Sequence, residues 1–128
     1  MSELTANVNW LAVIVGFILS FLLGWLWYSP RMFGVKWAEG VGVEMGSADS
    51  MPVAAMGTQA AGTLLLSWLV GVTAAHNALA TLILAVVTIM MLMASGGFFA
   101  KKSNYAIATE TGFVAAMTVI MVAVQAIF

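Results

Sequence analysis

The chain has 128 residues, of which 63% are hydrophobic and 7% are charged, and its net charge is −1. A soluble domain carries about 25% charged residues, so this chain has too little polar surface for a water-soluble fold of its size. The near-neutral charge excludes a basic surface for nucleic acid. The absence of cysteine excludes disulfides, thiolate metal sites and cysteine nucleophiles. The composition therefore predicts a surface that mostly faces lipid.

The first apolar segment lies between Glu3 and Arg31, an interval without charged residues. A membrane-spanning helix needs about 20 apolar residues, and we place one at about residues 8–28, ended by Pro30. No basic residues precede the segment and no small-residue cleavage site follows it. We therefore expect a retained first span rather than a signal peptide.

A second uncharged interval runs from Ser50 to Ala100. As a single helix it would extend roughly 75 Å, whereas the hydrocarbon core of a bilayer is about 30 Å thick. It must fold back, and its polar cluster at residues 73–77 predicts the turn. The resulting spans cover about residues 51–72 and 78–100, with Asn77 as the expected N-cap of the second.

Lys101 and Lys102 end that span, and Ser103 or Asn104 is expected to cap a fourth helix at about residues 105–128. The predicted fold is all-α: a single domain, residues 1–128, forming an integral membrane protein with four transmembrane helices.

The loop at residues 29–50 contains Phe33, Trp37 and Val41 at intervals of four, which favours a short amphipathic helix at the membrane interface. All four basic residues, including Arg31 and Lys36, fall in loops that four spans place on one side. Loops rich in lysine and arginine stay in the cytoplasm. This predicts both termini, together with His76, on the non-cytoplasmic side.

Small residues recur at intervals of four on three predicted helices. In lipid such residues let helix backbones approach closely, which is a main source of helix association. The rows either pack the four helices of one subunit or include an interface between subunits. They are Ala12, Gly16, Ser20 and Gly24; Gly57 and Ala61; and Ala108, Gly112 and Ala116. Near the span ends lie the expected interfacial anchors, which are Trp10, Trp27, Tyr28 and Trp37.

Glu110 is the acidic residue that falls inside a predicted span. An ion pair with Lys101 or Lys102 is one interpretation, and a proton or cation site is the other. His76 stands alone, without the partners that a metal site needs. The sequence contains no nucleophile–base pair, phosphate-binding loop or carboxylate pair, so we expect no catalytic residues, no cofactor and no bound metal.

The motif Asn9-Trp10-Leu11-Ala12-Val13, followed by Trp27-Tyr28-Ser29-Pro30, Phe33-Gly34 and Trp37, resembles a family of small bacterial membrane proteins. The family pattern is N-W-x-A-V and then W-Y-S-P-x-x-F-G-x-x-W. Residues 99–102 resemble its aromatic and basic third loop, whereas Phe113 stands where the family has a tyrosine. The family is catalogued as a domain of unknown function. The resemblance implies a four-helix membrane fold and a location in the bacterial inner membrane, and it implies no activity.

The leading hypothesis is a non-enzymatic membrane protein that acts through helix–helix association, as a homo-oligomer or as an accessory subunit of a membrane complex. Its expected partners are the lipid bilayer, further copies of the chain and other membrane proteins. The alternative is a small transporter or channel that uses Glu110. Four-helix multidrug exporters of comparable size rely on an acidic residue in the first span, and this chain has none there.

Overall fold

The computed structural model describes residues 2–29, 32–42 and 53–128. A single 3₁₀ turn at Ser2–Leu4 precedes five helices in this part of the chain. Four of them are long and apolar enough to cross a membrane, as the all-α prediction requires. The helices are α1 (Trp10–Trp27), α2 (Gly34–Val41), α3 (Val53–Ala75), α4 (Leu79–Phe99) and α5 (Asn104–Ile127).

The helix ends follow from a few polar side chains. The Asn9 side chain accepts a hydrogen bond from the Ala12 amide (3.1 Å) at the start of α1. Ser103 Oγ accepts one from the Ala106 amide (3.0 Å), so Ser103, rather than Asn104, is the cap of α5 among the two predicted candidates. Each bond satisfies an amide that the first helical turn leaves without a partner.

The turn between α3 and α4 differs from the prediction. α3 continues to Ala75, because Thr73 Oγ1 donates back to the carbonyls of Leu69 and Val70 (3.1 and 2.9 Å) and so fits inside the helix. Asn77 is not the N-cap of α4. That position belongs to Ala78, and Asn77 adopts the left-handed conformation (φ 53°), which asparagine tolerates better than most residues.

α5 lies at the centre of the bundle and contacts α1, α2, α3 and α4. α1 packs against α3 and α5, and α4 packs mainly against α5. The core is formed around four residues of α5 together with pairs from α3 and α4. Its buried members are Leu66, Val70, Leu82, Val86, Phe113, Val114, Met117 and Met121.

The bundle has two ends. We call the end with residues 2–10 and the last residues of α5 the terminal end, and the opposite end, which holds α2, the α2 end. At the terminal end the Trp68 indole N–H donates to the carbonyl of Leu4 (2.8 Å), and Gln125 lies beside Gly71. The α2 end contains α2 and the turn from α4 to α5. It holds every basic side chain that the structure describes, namely Lys36, Lys101 and Lys102. Pro30, Arg31 and residues 43–50 of the predicted loop lie outside the described residues.

Candidate functional site

The predicted short helix is present as α2, and two residues of its predicted apolar face, Phe33 and Trp37, turn toward α1 and α5. The Phe33 ring lies against Trp27, with ring centroids 4.7 Å apart, and near Tyr105 at 6.5 Å. Trp37 lies against Tyr28, with centroids 4.9 Å apart. The aromatic residues of α2 therefore pack on the protein itself at this end of the bundle.

Glycine allows α2 to come this close. A Cβ atom on Gly40 would overlap Ser103 Oγ, and one on Gly34 would overlap the carbonyl oxygen of Tyr28. The amide of Ser103 also donates to the carbonyl of Gly40 (3.0 Å). Because Ser103 caps α5, the end of α2 is fixed directly to the start of the central helix.

Glu110 lies at the centre of the polar contacts at the α2 end. The Lys102 ammonium donates to Oε1 and Oε2 of Glu110 (3.1 and 2.9 Å), and the Trp37 indole N–H donates to Oε2 (3.0 Å). The Glu110 side chain is 14% exposed and that of Lys102 is 28% exposed. The predicted pairing of Glu110 with one of the two lysines is confirmed for Lys102. We call Tyr28, Trp37, Lys102 and Glu110 the Glu110 cluster.

Tyr28, just beyond the end of α1, completes this cluster. Its ring packs edge-on against Trp37 and Phe113, the latter at 5.3 Å between centroids. Burial raises the pKa of the Tyr28 hydroxyl well above its usual range, and the negative charge of Glu110 raises that pKa further. The hydroxyl therefore stays protonated at physiological pH and can act only as a neutral group.

Trp27 joins α1 to α5 beside the cluster. Its indole N–H donates to the carbonyl of Thr109 (3.0 Å), and its ring lies 6.0 Å from that of Phe113. Gly112 faces this ring, and a Cβ there would lie 3.5 Å from Trp27 Cζ2. Of the predicted anchors, Trp27, Tyr28 and Trp37 thus meet at the α2 end. Trp10 lies at the other end and pairs with Trp68, with centroids 5.7 Å apart.

The row of small residues on α1 faces the inside of the bundle. Ala12, Gly16 and Ser20 are buried. A Cβ on Gly16 would lie 2.9 Å from Ser67 Oγ, and one on Gly24 would lie 3.1 Å from Phe113 Cζ. Ser67 Oγ itself donates to the carbonyl of Val13 (2.6 Å). A side chain of α3 therefore contacts the backbone of α1 directly.

The other two rows are placed differently. On α3, Gly57 and Ala61 are exposed, and a Cβ on Gly57 would meet no described atom within 4 Å. On α5, Ala108 is exposed, whereas Gly112 and Ala116 are half-buried. The spacing of four is therefore shared by rows that face inward and rows that face outward.

Two features of the site were not predicted. The hydroxyl of Ser20 is fully buried and makes no hydrogen bond to a described residue. The contacts of Trp37 with Glu110 and of Trp27 with Thr109 join positions 73 and 82 residues apart. The W-Y-S-P-x-x-F-G-x-x-W motif contains both aromatic members of the Glu110 cluster, Tyr28 and Trp37, but it does not indicate the carboxylate to which Trp37 donates.

The chemical capacity of the site is limited. Within residues 2–29, 32–42 and 53–128, no group of three His, Cys, Asp or Glu side chains could hold a metal ion. The Glu110 carboxylate receives three hydrogen bonds from the protein. The arrangement is suited to joining α2, the α4–α5 turn and α5.

Four long apolar helices, with α5 at their centre, define the class: a small all-helical protein compatible with a multi-pass membrane protein. The chain belongs to the family described as "Protein of unknown function (DUF1761)", which it matches over residues 11–126. This agrees with the predicted resemblance to a family without an assigned activity. No curated protein and no solved structure matches the chain.

Proposed function

We propose that the protein is a non-enzymatic integral membrane protein that acts through helix–helix association, as a homo-oligomer or as an accessory subunit of a membrane complex. The observation that carries the proposal is the exposed row of small residues on α3. No described atom lies within 4 Å of the position where a side chain on Gly57 or Gly62 would project, and Ala61 between them is exposed.

The packing of α1 supports this interpretation. Gly16 on α1 brings that helix against Ser67 of α3 and Met121 of α5. The α3 row has the same chemistry, yet no described residue covers it. In lipid, a face of small residues gains little from contact with acyl chains but permits another helix to approach closely. A second helix, from another copy or from a partner protein, is the occupant that this face suits.

The proposed orientation has both termini on the non-cytoplasmic side of the bacterial inner membrane. Its support is the distribution of lysine, since Lys36, Lys101 and Lys102 share the α2 end, and basic loops are retained in the cytoplasm. Cysteine labelling in intact cells tests it. A cysteine introduced at Asn77 should react with a membrane-impermeant reagent added outside the cells, and a cysteine introduced at Ser103 should not.

The alternative, a small transporter or channel that uses Glu110, has weaker support. A partly buried carboxylate in an apolar helix is the observation in its favour. Against it, Lys102 and Trp37 already supply donors to both carboxylate oxygens. A transport cycle would have to break these bonds to admit a proton or a cation.

The test of association is the mass of the protein purified in mild detergent, compared between Gly57→Leu and Gly96→Leu. Both glycines are on apolar helices, and a Cβ on either would meet no atom of the described residues within 4 Å, so neither variant should disturb the fold. We expect the parent and Gly96→Leu to share one assembly, and Gly57→Leu to lose it. A parent that is monomeric and free of companion proteins, both in detergent and in lipid nanodiscs, would refute the proposal.

A further inference from the structure

We propose that the α2 end carries a docking surface for the headgroups of anionic lipids, formed by Lys36, Lys101 and the ring of Tyr105. The proposal rests on the membrane location proposed above and adds a lipid class to it. It is independent of whether α3 forms an interface with another helix.

Of the three lysines described at the α2 end, one forms an ion pair with a described residue and two do not. Lys102 is neutralised by Glu110, and this is the only ion pair within the described ranges. Lys36 and Lys101 remain, both exposed. Glu39, three residues after Lys36 on α2, is the other carboxylate described at this end, and it lies beyond ion-pair distance of both lysines. The described part of the α2 end therefore presents positive charge to its surroundings.

The geometry holds this charge at one edge of the bundle. The Lys36 ammonium lies over the ring of Tyr105, 5.4 Å from its centroid, a cation–π contact that leaves the N–H groups able to donate outward. Lys101 lies in the turn that leads to Tyr105 and has a left-handed backbone (φ 61°). Both lysines thus belong to the region where α2 meets the start of α5.

The neighbouring apolar residues point to a lipid rather than to a soluble anion. Phe98 and Phe99, immediately before the turn with Lys101, are 60% and 87% exposed. Exposed aromatic rings next to lysines suit the boundary between acyl chains and headgroups, where the rings contact the chains and the ammonium groups reach the phosphates. An acidic protein segment would use the lysines but would leave these rings in contact with lipid or water.

Anionic headgroups are favoured over zwitterionic ones by charge. A phosphatidylglycerol phosphate can accept hydrogen bonds from lysine ammonium groups, and no choline cation offsets its charge. A lysine near such a surface strengthens binding by about fivefold. Removing both lysines should therefore weaken the preference for the anionic lipid by roughly 25-fold.

The experiment uses the full chain in mild detergent with equal amounts of phosphatidylglycerol and phosphatidylcholine, and native mass spectrometry counts the lipids retained. We expect the parent to retain phosphatidylglycerol preferentially and Lys36→Gln/Lys101→Gln to lose the preference. Glu3→Gln, at the terminal end, raises the net charge by one, as Glu39→Gln does; it is the control for Glu39→Gln and should behave like the parent. Glu39→Gln should strengthen the preference.

Three outcomes would overturn the proposal: equal retention of the two lipids by the parent, an unchanged preference in the double variant, or displacement of the lipid by millimolar inorganic phosphate, which would indicate a simple anion site. Incorporation into nanodiscs is measured in parallel. A chain that inserts but shows no lipid preference contradicts this inference alone, whereas a chain that fails to insert contradicts the proposed membrane function as well.

Discussion

The bundle has a packed side and an open side, and both contain glycine in apolar helices. The packed side consists of α1, α2 and α5, where Gly16 and Gly40 leave no room for a side chain. The open side consists of the first half of α3 and the second half of α4, where a Cβ on Gly57, Gly62 or Gly96 would meet no described atom within 4 Å. Glycine on the packed side permits contacts within the chain. Of the glycines on the open side, those of α3 lie in the row that we propose another helix approaches, and Gly96 lies outside that row.

The largest expected difference between the two sides is between Gly16→Leu and Gly57→Leu. A leucine at position 16 must displace Ser67 and Met121, and we expect a loss of about 2–3 kcal/mol in the free energy of unfolding. At position 57 the loss should stay within about 0.5 kcal/mol. Unfolding by denaturing detergent measures both, and membrane insertion should be preserved in each variant. Equal stabilities would mean that the α1 row does not face the core.

Gly40→Ala and Gly96→Ala repeat the comparison with a single methyl group. The methyl group at position 40 would overlap Ser103 Oγ, and moving that atom also disturbs the cap of α5. We expect a loss of about 1–3 kcal/mol.

The methyl group at position 96 meets open space, so alanine should be neutral or slightly stabilising through its higher helix propensity. Thermal unfolding in detergent distinguishes the two. A stable Gly40→Ala protein would contradict the close contact between α2 and α5.

Glu110→Gln tests whether the packed side holds a working site or a structural one. The amide can still accept a hydrogen bond from Trp37, but Lys102 loses its counter-charge. Because both groups are partly exposed, we expect a loss of about 1 kcal/mol. A double-mutant cycle with Lys102→Gln isolates the pair.

In proteoliposomes we expect neither the parent nor Glu110→Gln to conduct protons or cations. A pH-dependent flux through the parent that Glu110→Gln abolishes would instead establish the transporter alternative.

The smallest expected effect separates two neighbouring tryptophans. Trp27→Phe keeps an aromatic ring but loses the hydrogen bond to the Thr109 carbonyl, at a cost of about 1 kcal/mol. Trp25→Phe is the control, since that side chain is 68% exposed, and it should change stability by less than about 0.5 kcal/mol. If both variants unfold alike, the indole bond contributes nothing measurable.

The sequence predicted the four long helices well, because intervals free of charge are long enough to be unambiguous. It also limited the cap of α5 to Ser103 or Asn104, and it offered a pairing of Glu110 with Lys101 or Lys102 as one of two interpretations, since both depend on residues close in the chain. The N-cap assignment of Asn77 was wrong, because asparagine is favoured both in caps and in left-handed turns. Local sequence does not distinguish these two uses.

The direction in which each row of small residues faces was not predictable. In a soluble protein, polar residues would identify the outward face of a helix. Here the exposed and buried faces are both apolar, so Gly16 and Gly57 look alike in sequence. The contact of Trp37 with Glu110 could not be predicted from the sequence for another reason. It joins residues 73 positions apart and requires α2 to lie across the start of α5.

The central position of α5 has a consequence for how the protein is made. Helices emerge from the ribosome in chain order, so α1, α3 and α4 are synthesised before the helix that contacts them all. Until α5 arrives, α4 lacks its main neighbour, and the α1 row can meet only α3. Assembly is therefore completed late, and the unfinished intermediate exposes Gly16 and Ser20 to any other helix nearby.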